Sequence, residues 1–360
     1  MVGAGLKDLS SSGRPMSQVM PNGIDWINET CSNIDPDSNN VMLSGATGTV
    51  NYRYLVLAAG IHIDWDKIDG LLPALEQPDT GVCSNYSDRF VTKTWHTLKQ
   101  FEGGNAIFTM PNTPIKCAGA PQKIMYLTDA NLRQKGVRDR TKITYFTSLP
   151  LVFAAKHYAK ALMEVCKQRD LNVMVRHNLV RVDTGKRLAY FENLDRLDDP
   201  LLEVKYDMLH VTPPMSAPKF LKSLSNETSN GFVAVDPKTL QHIKYENIFA
   251  LGDCSSLQTS KTAAAIASQN SILAKNLLQL IEYKNSNQYN DGSKINFKAT
   301  YDGYTSCPIV TGNNRCIMAE FDYQLEPLET FPFDQSKERT IMFYMKKDIL
   351  PFVYWNGMLK

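Results

Sequence analysis

The chain lacks most of the features that would place it quickly. It has no C-x-x-C pair, no run of Lys and Arg, no apolar stretch long enough to cross a bilayer, and no G-x-G-x-x-G turn after a strand. The cysteines number seven, at 31, 83, 117, 166, 254, 307 and 316. An odd, sparse set without metal-like clustering argues against a secreted disulfide framework and against a metal centre. It leaves room for a redox pair distant in sequence. Lys and Arg total 39 against 37 Asp and Glu, so nothing in the charge calls for a nucleic-acid partner. A transmembrane helix needs roughly 18–20 apolar residues, and the longest stretch of interest, 349–359, falls short. Met1 to Leu9 has the form of neither a signal peptide nor an Arg-rich transit peptide. Gly3-Ala-Gly5 has no strand before it, so it does not qualify as a dinucleotide fingerprint.

What is present is ordinary globular material. A length of 360 residues, with 43% apolar and 21% charged, suits two domains, or two plus a terminal extension. The most informative stretch runs from Asn105 to Tyr126. Ala106 to Met110 reads as a short buried strand, a proline-punctuated turn follows, and helix-forming character begins at about Ala120. A phosphate-binding loop at this place would carry glycines. Pro111 and Pro114 instead remove amide donors and stiffen the turn. The loop presents Cys117, near a helix start and beside Lys116. Both neighbours favour a thiolate, which makes Cys117 a candidate nucleophile, with a buried structural cysteine as the alternative.

Residues 142–147 read as a second strand, 153–168 as an amphipathic helix with Cys166 on its apolar stripe, and 171–175 as a third strand. Two strand–helix–strand steps in a row predict parallel pairing with right-handed crossovers. Residues 188–191 and 206–212 add strands that close at Pro213-Pro214, so the middle of the chain is α/β. Its histidines, 96, 157, 177 and 210, are scattered and read as structural or solvated.

On either side lie pieces of another unit. Residues 24–27, 41–43 and 232–236 look like short strands, and 51–60 is an apolar strand running into Gly60. The strongest local motif is Asn247 to Asp253, a buried strand ending in Gly252-Asp253, followed by Thr259 to Ser268. Flavoproteins use such a Gly-Asp to approach a ribityl chain, with the next helix aimed at the flavin ring. Ser260 or Thr259 could cap that helix, with Lys261 and Thr262 on its first turn and Ala263 and Ala264 next. A plain strand–turn–helix is the alternative. The helix is expected to reach about Tyr283, before a polar linker over 285–293. Residues 301–308 present Cys307 in a loop fixed by Pro308, and Cys316 lies in a more regular segment that reads as packing. The last 25 residues alternate aromatic and aliphatic runs with Lys337, Arg339, Lys346, Lys347 and Lys360. That composition suits a membrane interface, or else a dimer contact or a helix packed on the body.

Pro114-Ile-Lys-Cys117-Ala-Gly-Ala-Pro-Gln-Lys123, Gly252-Asp253 with Ser260-Lys-Thr-Ala-Ala264, and Tyr301-Asp-Gly-Tyr-Thr-Ser-Cys307-Pro together resemble the mitochondrial-type sulfide:quinone oxidoreductase family of animals. Residues 329–339 fit as well. The resemblance covers essentially the whole chain. It implies an α/β fold of two Rossmann-like (FAD/NAD(P)-binding) domains plus a C-terminal membrane-associating segment. The FAD-binding domain would comprise 1–95 and 216–300 and lack its N-terminal βαβ unit. A second domain, 96–215, would carry Cys117, and 301–360 would carry Cys307. The resemblance further implies an FAD enzyme that oxidises hydrogen sulfide through a Cys117/Cys307 pair. Sulfide would attack at Cys307, leaving a persulfide there and a thiolate at Cys117 that delivers the electron pair to the flavin and thence to ubiquinone. Sulfane sulfur would pass to glutathione or sulfite. The cofactor-binding set it points to is Gly60, Gly252, Asp253, Lys261, Thr262, Ala263 and Ala264, and the implied location is peripheral on the mitochondrial inner membrane. Family members open with a G-x-G-x-x-G unit ahead of the position of Met1 and continue past Lys360, so the resemblance implies a partial or shortened chain. Two other readings remain: an NADH:quinone oxidoreductase on the same scaffold, which the proline-bearing loop opposes, and an inactive form serving only as an interaction fragment.

Overall fold

The computed structural model describes residues 1–286 and 295–359; most of the expected linker over 285–293, and Lys360, lie outside that set. The middle of the chain forms a five-stranded, wholly parallel sheet in the order Val82–Cys83, Met208–His210, Gly104–Met110, Thr141–Thr147, Asn172–Met174. Ala106 through Met110 are all buried, as a parallel strand covered on both faces must be. Helices Ala120–Lys135 and Lys156–Gln168 make the two crossovers expected from the sequence. Tyr158, Ala159, Leu162 and Cys166 face the core from the second of them.

A three-stranded antiparallel sheet covers part of this unit: His177–Asp183, Leu188–Asn193 and Leu202–Lys205. Phe191 from its middle strand stacks on Phe146, with ring centroids 4.0 Å apart. Together these elements make the Rossmann-like α/β domain that carries the central loop.

The other unit holds a two-stranded parallel pair, Leu55–Leu57 with Ile248–Ala250, backed by the long helix Ala263–Asn285. Beside it lies an antiparallel meander, Cys31–Asp35, Asn40–Leu43 and Thr49–Asn51. Because the pair is parallel, the chain leaves both strands at the same edge. Gly60 and Gly252-Asp253 therefore come together there.

Several sequence expectations need correction. Ile24 to Ile27 is irregular and exposed, because no strand lies alongside it among the described residues. Residues 232–236 make single bridges, Val233 to Ser255 and Val235 to His242, and no continuous ladder. Cys307 does not sit in a loop: it lies within the strand Thr305–Gly312, paired antiparallel with Arg315–Phe321. Asn313 and Asn314, at φ 50° and 55°, form the tight turn between them, as asparagines can in the left-handed region. Pro308 is accommodated because, among the described residues, this hairpin strand has a partner on one side only. The hairpin lies against Ala120–Lys135 so closely that a Cβ on Gly312 would stand 2.8 Å from the Tyr126 carbonyl oxygen.

Candidate active site

Strand Gly104–Met110 delivers the loop that begins at Pro111, and neighbours on all sides fix that loop. The Met215 amide donates to Thr113 Oγ1 at 3.0 Å, the Asn112 amide to Asn178 Oδ1 at 3.1 Å, and Lys116 pairs through its backbone with Lys261. Cys117 follows at φ 89°, a left-handed conformation that a side chain adopts only when its surroundings over-determine it. Its carbonyl accepts from the Ala120 amide at 2.6 Å, and the helix starts there, with Pro121 in its first turn.

The hairpin brings Cys307 to this point. Its thiol lies within hydrogen-bonding reach of Cys117, and both cysteines are free thiols. A glycine is required between them, since a Cβ on Gly119 would stand 2.6 Å from Cys307 Sγ. The Lys123 ammonium, from the first turns of the helix, donates to Cys117 Sγ at 3.3 Å.

Electrostatics divide the two sulfurs. The hydrogen bond from Cys307 holds Cys117 well below the ordinary thiol range; burial opposes this, and the Lys123 and Lys346 ammonium groups add to it. The same hydrogen bond, with burial, pushes Cys307 well up. Cys117 is thus the thiolate and Cys307 the thiol donor. Burial alone would lower Lys123, but the charge of Cys117 and Cys307 outweighs it and keeps the ammonium protonated above its usual value. Lys346 reaches the site's field from the helical turn Met345–Ile349; burial, then Lys123, lowers its pKa.

Lys116 was expected to be the cation beside the thiol. Lys123 and Lys346 act there instead, while Lys116 acts on Asp253. Lys346 carries no sequence signal for a role at the thiols. Lys123 does carry one, since it falls in the first turns of the helix that follows the cysteine loop.

On the other side of the Lys116–Lys261 bridge stands the Gly-Asp edge. Gly60 and Gly252 adopt φ 70° and 71°, and nothing lies within 4 Å of where a Gly60 Cβ would be. Burial, the largest influence, raises the Asp253 carboxyl, and its Oδ1 is buried without a hydrogen-bond partner among the described residues. Lys261 donates to the backbone carbonyls of Asp253 and Ser255 at 2.8 and 3.2 Å, and burial lowers its pKa to about 8. The helix cap is Thr262, neither Thr259 nor Ser260: its side chain accepts from the Ala265 amide, so Lys261 and Thr262 precede the first turn. The amides of Ala263 and Ala264 begin the helix without a side-chain acceptor.

A cavity of about 520 Å³ lies between the two halves, bordered by Pro111, Thr113, Ala118, Gln258 and Lys261. A larger one, about 840 Å³, opens at the far edge of the parallel sheet around Lys93, His96 and Arg187 and contains none of these residues. Among the described residues, no helix is long and apolar enough to cross a membrane.

An orphaned buried carboxylate oxygen, two left-handed glycines at one sheet edge and an open helix N-terminus fit a flavin dinucleotide. Fold and site together define a flavoprotein oxidoreductase. No protein-family model matches the chain. It is 49% identical to the mitochondrial sulfide:quinone oxidoreductase of Mus musculus, over all of this chain and 77% of that protein. It is 40% identical to the protein of the same name from Dictyostelium discoideum, over all of this chain and 76% of the relative. The crystal structure of the Aquifex aeolicus sulfide:quinone oxidoreductase shares the fold, at a TM-score of 0.74 and 18% identity, covering 98% of this chain and 80% of that one. The chain belongs to the mitochondrial sulfide:quinone oxidoreductase family, whose cofactor is FAD.

Proposed function

We propose that the chain oxidises hydrogen sulfide at Cys117 and Cys307 and passes the electrons through FAD to ubiquinone. The observation that carries this reading is the meeting of two cysteines from separate elements, Cys117 partly buried and Cys307 buried, in one lysine-backed thiol pair. In the oxidised pair, hydrosulfide attacks Cys307 sulfur. A sulfur–sulfur bond forms, the Cys117–Cys307 bond breaks, and the leaving electron pair stays on Cys117 as the thiolate that Lys123 stabilises. A small acceptor, glutathione or sulfite, then attacks the outer sulfur of the Cys307 persulfide and leaves Cys307 as a thiol. Bound FAD supplies the two-electron acceptor that returns the dithiol to the disulfide.

Gly60, Gly252, Asp253, Lys261, Thr262, Ala263 and Ala264 would hold the flavin. Asp253 Oδ1 is available to accept a hydroxyl, and the helix N-terminus would face charge on the ring. We assign 1–95 and 216–300 to the FAD-binding domain, 96–215 to the thiol-bearing domain and 301–360 to the C-terminal segment. In that segment Ile341 and Phe352 are 65% and 68% exposed, with Lys347 nearby, which supports peripheral attachment to the mitochondrial inner membrane.

The test is anaerobic addition of sulfide to FAD-loaded protein. Wild-type absorbance in the flavin band should bleach, and Cys117→Ser and Cys307→Ser should not. Near-normal bleaching in either variant overturns the assignment. Bleaching by NADH with none by sulfide would favour the NADH:quinone reading.

A further inference from the structure

The carboxyl ends of the parallel strands gather more than the cysteine loop. Val82–Cys83 pairs with Met208–His210, and that strand with Gly104–Met110, so Tyr86, Thr212 and the run to Cys117 all leave the sheet at one edge. Parallel α/β sheets bind their ligands at that edge. The turn carrying Tyr86 is pinned: the Asn85 amide donates to His210 Nε2 at 3.1 Å, and the Tyr86 amide to Ser84 Oγ at 3.3 Å. The Thr212 amide donates to Thr109 Oγ1 at 3.2 Å. Three residues on, the Met215 amide holds the cysteine loop through Thr113.

Tyr86 and Thr212 are 6% and 1% exposed, and among the described residues neither hydroxyl has a hydrogen-bond partner. The Thr212 side chain lies near enough for its dipole to act on the phenol, yet no hydrogen bond joins the two oxygens. A buried hydroxyl left unpaired costs stability, so its presence points to a group that it receives. Tyr52 and Tyr206 also carry orphaned phenols, but they pack in other clusters. Tyr86 shares its cluster with Cys307, Cys117 packs against that cluster, and the phenol lies in the field of both sulfurs. Burial, then the Cys117 charge, holds the phenol well above its ordinary pKa, so its proton stays in place. A cavity of about 410 Å³, lined by Ile63, Trp65, Asn85, Tyr86 and Lys116, gives a route to it.

We propose that the Tyr86 hydroxyl is the docking donor for the small soft anion, a hydrosulfide, that attacks the cysteine pair. This rests on the sulfide reading above and assigns the residue that holds the nucleophile. The phenol O–H donates to the anion's sulfur, the Thr212 hydroxyl donates to the phenol oxygen, and no proton is transferred. Once the sulfur–sulfur bond to Cys307 has formed, the same donor faces the outer sulfur of the persulfide.

Tyr86→Phe removes the hydroxyl alone. In FAD-loaded protein, the sulfide concentration that gives half-maximal flavin bleaching should rise about tenfold to a hundredfold, the worth of a hydrogen bond to a charged group, with the limiting rate nearly unchanged. Persulfide on Cys307, trapped by alkylation and read by mass spectrometry, should show the same shift, while opening of the disulfide by a phosphine should keep its wild-type rate. The melting temperature should hold or rise, since the hydroxyl lost is an unpaired one. Thr212→Val should move the sulfide requirement in the same direction by less. An unchanged sulfide requirement in Tyr86→Phe, a lowered melting temperature, or equal slowing with phosphine and sulfide would overturn the proposal and leave the sulfide reading standing. A wild type inert to sulfide would overturn both.

Discussion

At the scale of single residues, the site depends on how charge is divided between two sulfurs. Cys117 has its folded pKa depressed below the ordinary thiol value of 9.0. Its ionisation therefore stabilises the fold fully above that value, and the contribution is lost as pH falls through the depressed one. Lys123→Met removes the ammonium 3.3 Å from the sulfur. Ultraviolet thiolate absorbance should then titrate at higher pH than in wild type, and an unchanged titration would mean that Lys123 does not set the acidity. Cys117 was legible in sequence because prolines marked its loop as exceptional. The loop's own lysine was a misleading cue, because side-chain direction decided which cation reached the sulfur. Cys307 could be paired with Cys117 only through family resemblance, since nothing in residues 301–308 points across the intervening chain to Cys117. Lys346 could not have been found, because its role exists only once the C-terminal helix has docked.

At the scale of elements, the parallel strands were readable because burial on both faces leaves them as plain apolar runs. The strand His177–Asp183 was missed, although Leu179 and Val182 are buried and Arg181 is exposed, because a bulge between Leu179 and Arg181 breaks the alternation. The hairpin strand was misread because Pro308 and the Tyr-Asp-Gly-Tyr run before it carry turn chemistry. Its true signal was Asn313-Asn314 between two apolar runs. The hairpin's docking on the helix 120–135 sets a sharp requirement at Gly119. Gly119→Ala forces a methyl toward Cys307 Sγ, and overpacking of this kind costs about 1–3 kcal/mol. The expected outcome is a melting temperature lowered accordingly and slower closure of the Cys117–Cys307 disulfide under mild oxidant, measured by thiol counting. Wild-type closure would show that the hairpin accommodates the methyl by moving.

At the scale of the whole molecule, the thiol-bearing domain, the Gly-Asp edge and the C-terminal segment converge on one place. Composition located the apolar, lysine-flanked C-terminus, but only the fold shows which side chains remain exposed. Ile349 and Phe352 do, and burying each in lipid contributes about 1.5–3 kcal/mol. Ile349→Ser with Phe352→Ser should lower partitioning onto anionic vesicles by about tenfold or more in a sedimentation assay, with the flavin spectrum unchanged. Equal partitioning would overturn the proposed attachment through this segment.

The helical turn Met345–Ile349 faces two ways: Ile349 is exposed to the surroundings, and the Lys346 charge acts on Cys117 and Cys307. A protease that trimmed this tail would withdraw a positive charge from the sulfur pair and leave Cys117 less acidic. An apolar side chain turned outward and a charge that tunes two thiols are therefore written into the same five residues.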